Sequence, residues 1–233
     1  MNVLIACEES QRVCMAFRER GHTAWSCDIQ PCSGGHPEWH ILGDCLPLLN
    51  GDCEFTTEAG GRHEQKGKWD LLIAHPPCTY LTSCSATELF SADHRIKNHD
   101  RWEKLLEARE FFLLIMRANC ERIAVENPAP LKRANLPPYT QIIEPYMFGD
   151  PWKKRTCLWL KNLPMLLPTK IVKARGCWID AGGGPGDRIK TKEYKGIPST
   201  NKKERSKTFP GIAHAMAEQW GADGGTYQIS MEV

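Results

Sequence analysis

The sequence predicts an α/β fold: a Rossmann-like, mostly parallel sheet with helices on both faces. Three observations carry this. Short apolar runs at Val3-Leu4-Ile5-Ala6-Cys7, Trp69-Asp70-Leu71-Leu72-Ile73-Ala74 and Arg122-Ile123-Ala124-Val125-Glu126 have the length of buried strands. Segments of helical periodicity alternate with such runs. The first strand, helix and strand are compact enough to form a βαβ unit, whose parallel pairing places helices against the sheet.

In chain order, the Val3 run is followed by a turn at Glu8-Glu9-Ser10. Ser10 is placed to cap a helix that carries Val13, Ala16 and Phe17 and ends at Arg20-Gly21. Thr23–Asp28 reads as the second strand. Residues 30 to 40 form a Pro- and Gly-rich loop, and residues 50 to 68 read as a polar, exposed insertion. The Trp69 run stops at His75-Pro76-Pro77-Cys78, and residues 85 to 100 are polar. From Arg101 to Ala118 the side chains of Trp102, Leu105, Leu106, Ala108, Phe112 and Ile115 recur near one helix face. The Arg122 run stops at Asn127-Pro128, Thr156–Leu160 is a further strand, and Ile212–Trp220 is a last helix. The expected organisation is a core over residues 1–160, a short basic segment over 161–207, and a C-terminal helix over 208–233 that returns to the core.

Hydrophobic residues are 41% and charged residues 25% of 233, the balance of a globular domain that needs no staples. No apolar run is long enough to cross a bilayer, and the apolar N-terminus has no basic flank, so it reads as a strand rather than an export signal. A cytoplasmic, monomeric protein is expected. The eleven cysteines are odd in number and irregular in spacing, which argues against a disulfide framework. The net charge of +2 hides an asymmetry: residues 151 to 210 hold 15 Lys or Arg against 4 Asp or Glu. Such a segment is the footprint of a phosphate-binding surface, and equally that of a solvated lysine-rich loop.

In open parallel sheets ligands sit beyond the carboxyl ends of the strands. Glu8, Asp28, Cys78 and Glu126 all fall at such ends. Pro76 and Pro77 fix the backbone ahead of Cys78, which is where a nucleophile belongs, although a cysteine on a tight turn also reads as a small apolar residue. Glu126, ending another apolar strand, would face the same crevice. Burial would hold it protonated, ready to donate to a ring nitrogen.

Pro77-Cys78 after a strand, then Glu126-Asn127, then a basic pair before a strand, then a glycine-containing terminal helix, resembles the DNA cytosine-5 methyltransferases in their usual order. The stretches Ala6-Cys7-Glu8-Glu9-Ser10-Gln11, Cys32-Ser33-Gly34-Gly35-His36-Pro37-Glu38-Trp39-His40, His75-Pro76-Pro77-Cys78-Thr79-Tyr80-Leu81-Thr82 and Thr156-Cys157-Leu158-Trp159-Leu160-Lys161 resemble the short forms found in phages and prophages, which act in a bacterial host cell. The resemblance implies a Rossmann-like methyltransferase fold, S-adenosylmethionine as cofactor, and DNA as partner, with the target cytosine flipped out or already single-stranded. It implies no metal. Cys78 would attack C6, Glu126 would hold N3 and the exocyclic amine, and Arg155 would support the base and the nucleophile. It places Cys7, Glu8, Glu9, Ser10, Asp28, Ile29, Asp44, Pro76 and Gly211 at the cofactor. Pro77, Thr79, Asn127, Lys154, Lys202, Lys203 and Arg205 fall to the substrate, and Trp178 and Tyr194 are candidates to stack on bases. The family has a glycine-rich turn after its first strand, and Cys7-Glu8-Glu9-Ser10 has no glycine. Thr79 stands where the family commonly has glutamine.

Cys27, Cys32, His36 and His40 also run with a spacing that superficially matches a zinc site. Alternative functions are a pyrimidine methylase acting on RNA or free nucleotides, and a non-catalytic nucleic-acid-binding protein with a decayed cofactor site.

Overall fold

The structure, a computed structural model, describes residues 1–82, 86–91, 95–177 and 206–222. Most of the basic segment, including Trp178, Tyr194, Lys202, Lys203 and Arg205, lies outside the described residues.

Consecutive apolar residues with no polar alternation produce strands buried on both faces, and this is what β1 (Asn2–Ala6), β6 (Leu71–Ala74) and β7 (Ile123–Asn127) form. With β2 (Thr23–Asp28), β3 (His40–Leu42), β8 (Gln141–Ile143) and β10 (Thr156–Lys161) they build a seven-stranded sheet of order β3-β2-β1-β6-β7-β10-β8. The first five strands of that order pair in parallel, and β10 runs antiparallel to both of its neighbours. The order reverses between β1 and β6, the switch point at which such sheets open a crevice.

The period of two divides the side chains between two cores. Leu4, Leu72, Val125 and Trp159 pack on one face with Leu105, Phe112 and Ile115 of α3 (His99–Met116). Val3, Ile5, Ile73, Ala124 and Leu158 pack on the other with Phe17 of α1 (Arg12–Glu19) and Met216 and Trp220 of α4 (Pro210–Gly221). Full burial of a side chain such as Phe17 contributes about 2–3 kcal/mol. The three fully buried tryptophans each find a carbonyl for the indole N–H: Trp69 donates to Leu48, Trp159 to Pro137 and Trp220 to Pro164.

The predicted elements form, with shifted ends. The first strand stops at Ala6 because Cys7 takes a left-handed backbone, φ 59°. Helix α3 begins at His99, where the Asn98 side chain caps it by accepting from the Arg101 amide. Residues 50 to 68 are not a free insertion. They hold the hairpin β4 (Cys53–Thr56) and β5 (Arg62–Gln65), which is tied to the core through Phe55, packed edge-on against Trp25 at 5.1 Å. The remaining elements are the short α2 (Ala86–Leu89) and the two-residue strands β9 (Trp152–Lys153) and β11 (Gly176–Cys177). No helix among the described residues is long and apolar enough to cross a membrane.

Candidate active site

The ends of β1, β2, β3 and β6 open onto a cleft of about 370 Å³, closed on its far side by α3. Cys7, Asp28, Ile29, Asp44 and Pro77, five residues singled out from the sequence, line it. Asp28 and Asp44 each spend a carboxylate oxygen on the amide two residues ahead, Gln30 and Leu46, which fixes both strand-end acids toward the opening. Burial pushes the Asp28 carboxyl up. Ile29 beside it is 78% exposed, an apolar side chain left open at the mouth. A crevice of this volume, with two acids for hydroxyl groups and an apolar edge for a planar base, fits a nucleoside-type cofactor. Tyr80, Lys104, Glu107 and Phe111 complete the wall. The last three recur at helical spacing on α3, a stripe beside the apolar face that sequence reading picked out.

Hydrogen bonding to Cys45, then burial, push the Cys7 thiol well up, and burial with the neighbouring Cys45 raises Cys27. Both stay protonated and serve as apolar wall.

The loop after β1 departs from expectation. It does without glycine by placing Cys7 and Gln11, φ 59° and 58°, in the left-handed region. Gln11, not Ser10 as expected, stands at the N-cap of α1, and its side chain makes no cap hydrogen bond. Glu8 supplies the cap: its carboxylate accepts from the amides of Val13 at 2.7 Å and Cys14 at 3.2 Å. Glu9 receives the Ser33 hydroxyl, and Ser10 is buried beneath Gly34, where a side chain would strike the Ser10 carbonyl at 2.7 Å. Glu8, Glu9 and Ser10 therefore turn away from the cleft and build its scaffold.

Burial raises Glu8 to about 7, against the pull of His75 and the two amides. A carboxyl raised from 4.5 in the unfolded chain stabilises the fold below pH 4.5 and loses that contribution as pH rises through 7. The change is about 3 kcal/mol across the window. Urea midpoints measured at pH 5 and pH 8 are expected to differ less in Glu8→Gln than in the wild type. An equal difference would contradict the assignment.

The next turn carries Cys78. Pro76 is buried, and its carbonyl accepts from the Asn127 side-chain Nδ2 at 2.8 Å. Asn127 is only 1% exposed, so it braces the turn rather than contacting a substrate. Pro77, not Pro76, reaches the cleft. The Cys78 carbonyl accepts from Leu81 and Thr82, which closes the turn, and Cys78 is the one exposed cysteine among those whose side chains the structure describes. Thr79 is exposed, and its carbonyl accepts from Arg101, which also pairs with Glu88 at 2.9 Å and lies over the Tyr80 ring.

Glu126 projects with Ala124 from the α1 side of β7, where His75 meets it: Nδ1 stands 2.9 Å from Oε2, and both side chains are 11% exposed. Burial alone would raise this carboxyl. The hydrogen bond from His75, the charge of Lys154 and the Thr156 hydroxyl outweigh it, so Glu126 is lowered. That overturns the expectation of a carboxyl held protonated by burial. Lys154 is likewise turned inward, with its ammonium on the Lys207 carbonyl at 3.4 Å and near the Phe209 ring, so its charge serves Glu126 rather than a substrate phosphate. Arg155 stays exposed, and its charge reaches Cys157, the register partner of Asn127. Gly211 packs against the Phe148 carbonyl, where a side chain would clash at 2.0 Å, and its amide binds Asp150. It belongs to the α4 side and does not line the cleft.

Glu126 therefore does not face the crevice that Asp28 and Asp44 line, as its place at a strand end led us to expect: the alternation along β7 puts it on the opposite side of the sheet plane, and residues 75–77 connect the two, His75 bonding Glu126 and Pro77 lining the cleft.

The zinc spacing does not assemble. Buried His40 uses one ring nitrogen on Ser26 and the other on the Gln30 carbonyl. His36 pairs with Glu38 and stacks on Trp39, and the Cys27 thiol meets the Gly43 carbonyl. Among the described residues no group of three or more His, Cys, Asp or Glu is placed to hold a metal ion.

No family model matches the sequence, and no curated protein does. Solved structures of similar fold include two methyltransferases. One is described as a DNA modification methyltransferase encoded within a prophage of E. coli, with 14% identity, a TM-score of 0.42, and coverage of 74% of this chain and 52% of that one. The other is a methyltransferase of Entamoeba histolytica, with 13% identity, a TM-score of 0.40, and coverage of 74% and 57%. The chain spans little more than half the length of either.

Proposed function

We propose that this protein transfers a methyl group from S-adenosylmethionine to C5 of cytosine in DNA, through a covalent adduct on Cys78. The observation that carries the reading is the segment His75–Cys78. Within four residues it joins a buried carboxylate, a cleft with two strand-end acids, and an exposed thiol. The strand order is consistent with it. The parallel strands bring their carboxyl ends together at the switch between β1 and β6, where open sheets of this kind bind their ligands.

In this reading Asp28 takes the ribose hydroxyls, Asp44 meets the base of the cofactor, and Ile29 covers it. The cofactor supplies an electrophilic methyl group. Cys78 adds to C6 of the cytosine, and Glu126 holds N3 and the exocyclic amine as charge builds on the ring. Arg155, exposed at the same strand ends, supports the base. A stacked base cannot reach such a turn, so the cytosine is flipped or single-stranded. The basic segment that includes Lys202, Lys203 and Arg205 grips phosphates and reads little sequence.

The test is incubation with labelled S-adenosylmethionine and either DNA, RNA or dCMP, followed by nucleoside analysis. Label is expected in 5-methylcytosine from DNA. Label in RNA or in the free nucleotide alone would redirect the substrate. No cofactor binding by calorimetry would overturn the enzyme reading.

A further inference from the structure

Resting on the cytosine reading, we propose that His75 is a positioning residue that orients the Glu126 carboxylate and stores the proton which Glu126 delivers to N3 of the base. The geometry ties the ring to this one task. Its backbone amide is fixed on the Ala6 carbonyl, and its Nδ1 donates to Glu126 at 2.9 Å. Its Nε2 is buried and has no hydrogen-bond partner among the described residues, so among them Glu126 orients the imidazole. His75 is also the first residue of the Cys78 turn, and Asn127, next to Glu126, grips Pro76 of that turn. Nucleophile and carboxylate therefore share one rigid frame.

Three elements face the imidazole with charge: Glu126 from β7, Glu8 from the loop after β1, and Lys154 from the turn before β10. Burial pulls the imidazole toward the neutral form, and so does Lys154. Glu126 and Glu8 outweigh them, so His75 is raised. His75 raised and Glu126 lowered both favour the imidazolium–carboxylate form of the pair. An ionised Glu126 has no proton to give, and the imidazolium beside it supplies one.

The step balances. Nδ1 passes its proton to the carboxylate, which leaves a neutral imidazole and a neutral carboxyl. The carboxyl turns about its soft terminal torsion and gives that proton to N3. Meanwhile the Cys78 thiolate, its proton already released to solvent, bonds to C6 with a sulfur lone pair, and the C5–C6 π pair moves onto C5. After C5 is methylated its hydrogen leaves to solvent as a proton. The C5–H pair re-forms the double bond, sulfur departs with its electrons, and N3 returns its proton to the pair.

The test compares the wild type with His75→Gln, which keeps a hydrogen-bond donor but cannot titrate. Turnover on DNA is measured from pH 5.5 to 9, and cofactor affinity is measured in parallel. Turnover of His75→Gln at pH 7 is expected to fall at least about tenfold. The alkaline limb of the wild-type profile should move, and cofactor affinity should stay within about twofold. Superimposable profiles would overturn the proton-store role while leaving the methyltransferase reading intact. A wild type that methylates no cytosine at any pH would defeat that reading itself. Independently, the His75 imidazole followed by NMR should titrate above its ordinary value of about 6.5 in the wild type and drop in Glu126→Gln. An unchanged titration would contradict the pairing.

Discussion

Cys78→Ser is expected to lower methyl transfer on the order of 10⁴-fold or more while the fold, the cofactor affinity and the thermal transition stay near those of the wild type. A hydroxyl is a far weaker nucleophile at neutral pH than a partly ionised thiol, and removing the attacking group deletes the step on which the rest depends. The fold should tolerate the change because Cys78 is exposed and the turn is held by its backbone carbonyl, by buried Pro76 and by Asn127, none of which the substitution touches. Full activity in this variant would rule out a Cys78 adduct. A collapse of the melting transition would show that the thiol is a packing group after all.

Glu126→Gln comes next in size, with an expected loss of about 10²- to 10³-fold in turnover and cofactor affinity within about twofold of the wild type. The glutamine amide can still bond His75 but cannot take up a proton from it, so charge building on N3 goes unanswered. Cofactor affinity is spared because Glu126 lies across the sheet plane from the cleft. Isothermal calorimetry and single-turnover transfer, run on the same preparation, check both halves. A large loss of cofactor affinity would move Glu126 from the base to the cofactor.

The residues that the sequence exposed most clearly are those fixed by strand ends. Unbroken apolar runs locate β1, β6 and β7, and whatever follows such a run stands at the mouth of the sheet. The strand-end positions of Asp28, Cys78 and Glu126 were legible for that reason, and Cys7, Asp28 and Asp44 meet in one cleft, but Pro77 takes the place there that was expected of Pro76, and Glu126 faces the other side of the sheet. Strands β3 and β8 have three residues each, too short for a period to register; pairing with β2 and β10 decides them. Hairpin β4–β5 carries one fully inward aromatic, Phe55, among polar neighbours, so its composition resembles an insertion. Side-chain direction was the less legible part. Glu8 looked like a ligand because it follows a strand, but a left-handed Cys7 redirects it onto α1. Lys154 was expected at the substrate, but it is turned inward, with its ammonium on the Lys207 carbonyl and its charge acting on Glu126. Both outcomes depend on groups distant in sequence. His75 carried a local signal, an imidazole at the end of a buried strand two residues before the turn's second proline. Its partner lies 51 residues away.

The most direct measurement of the central claim is trapping. A DNA oligonucleotide carrying 5-fluorocytosine, incubated with the protein and S-adenosylmethionine, offers a C5 substituent that cannot leave as a proton, so the cycle halts after methylation with sulfur still bonded to C6. Digestion and mass spectrometry of the complex are expected to locate the nucleotide on Cys78, with one methyl group added, and to find no such species in Cys78→Ser. A methylated product without any protein adduct, or an adduct on a different cysteine, would contradict the account.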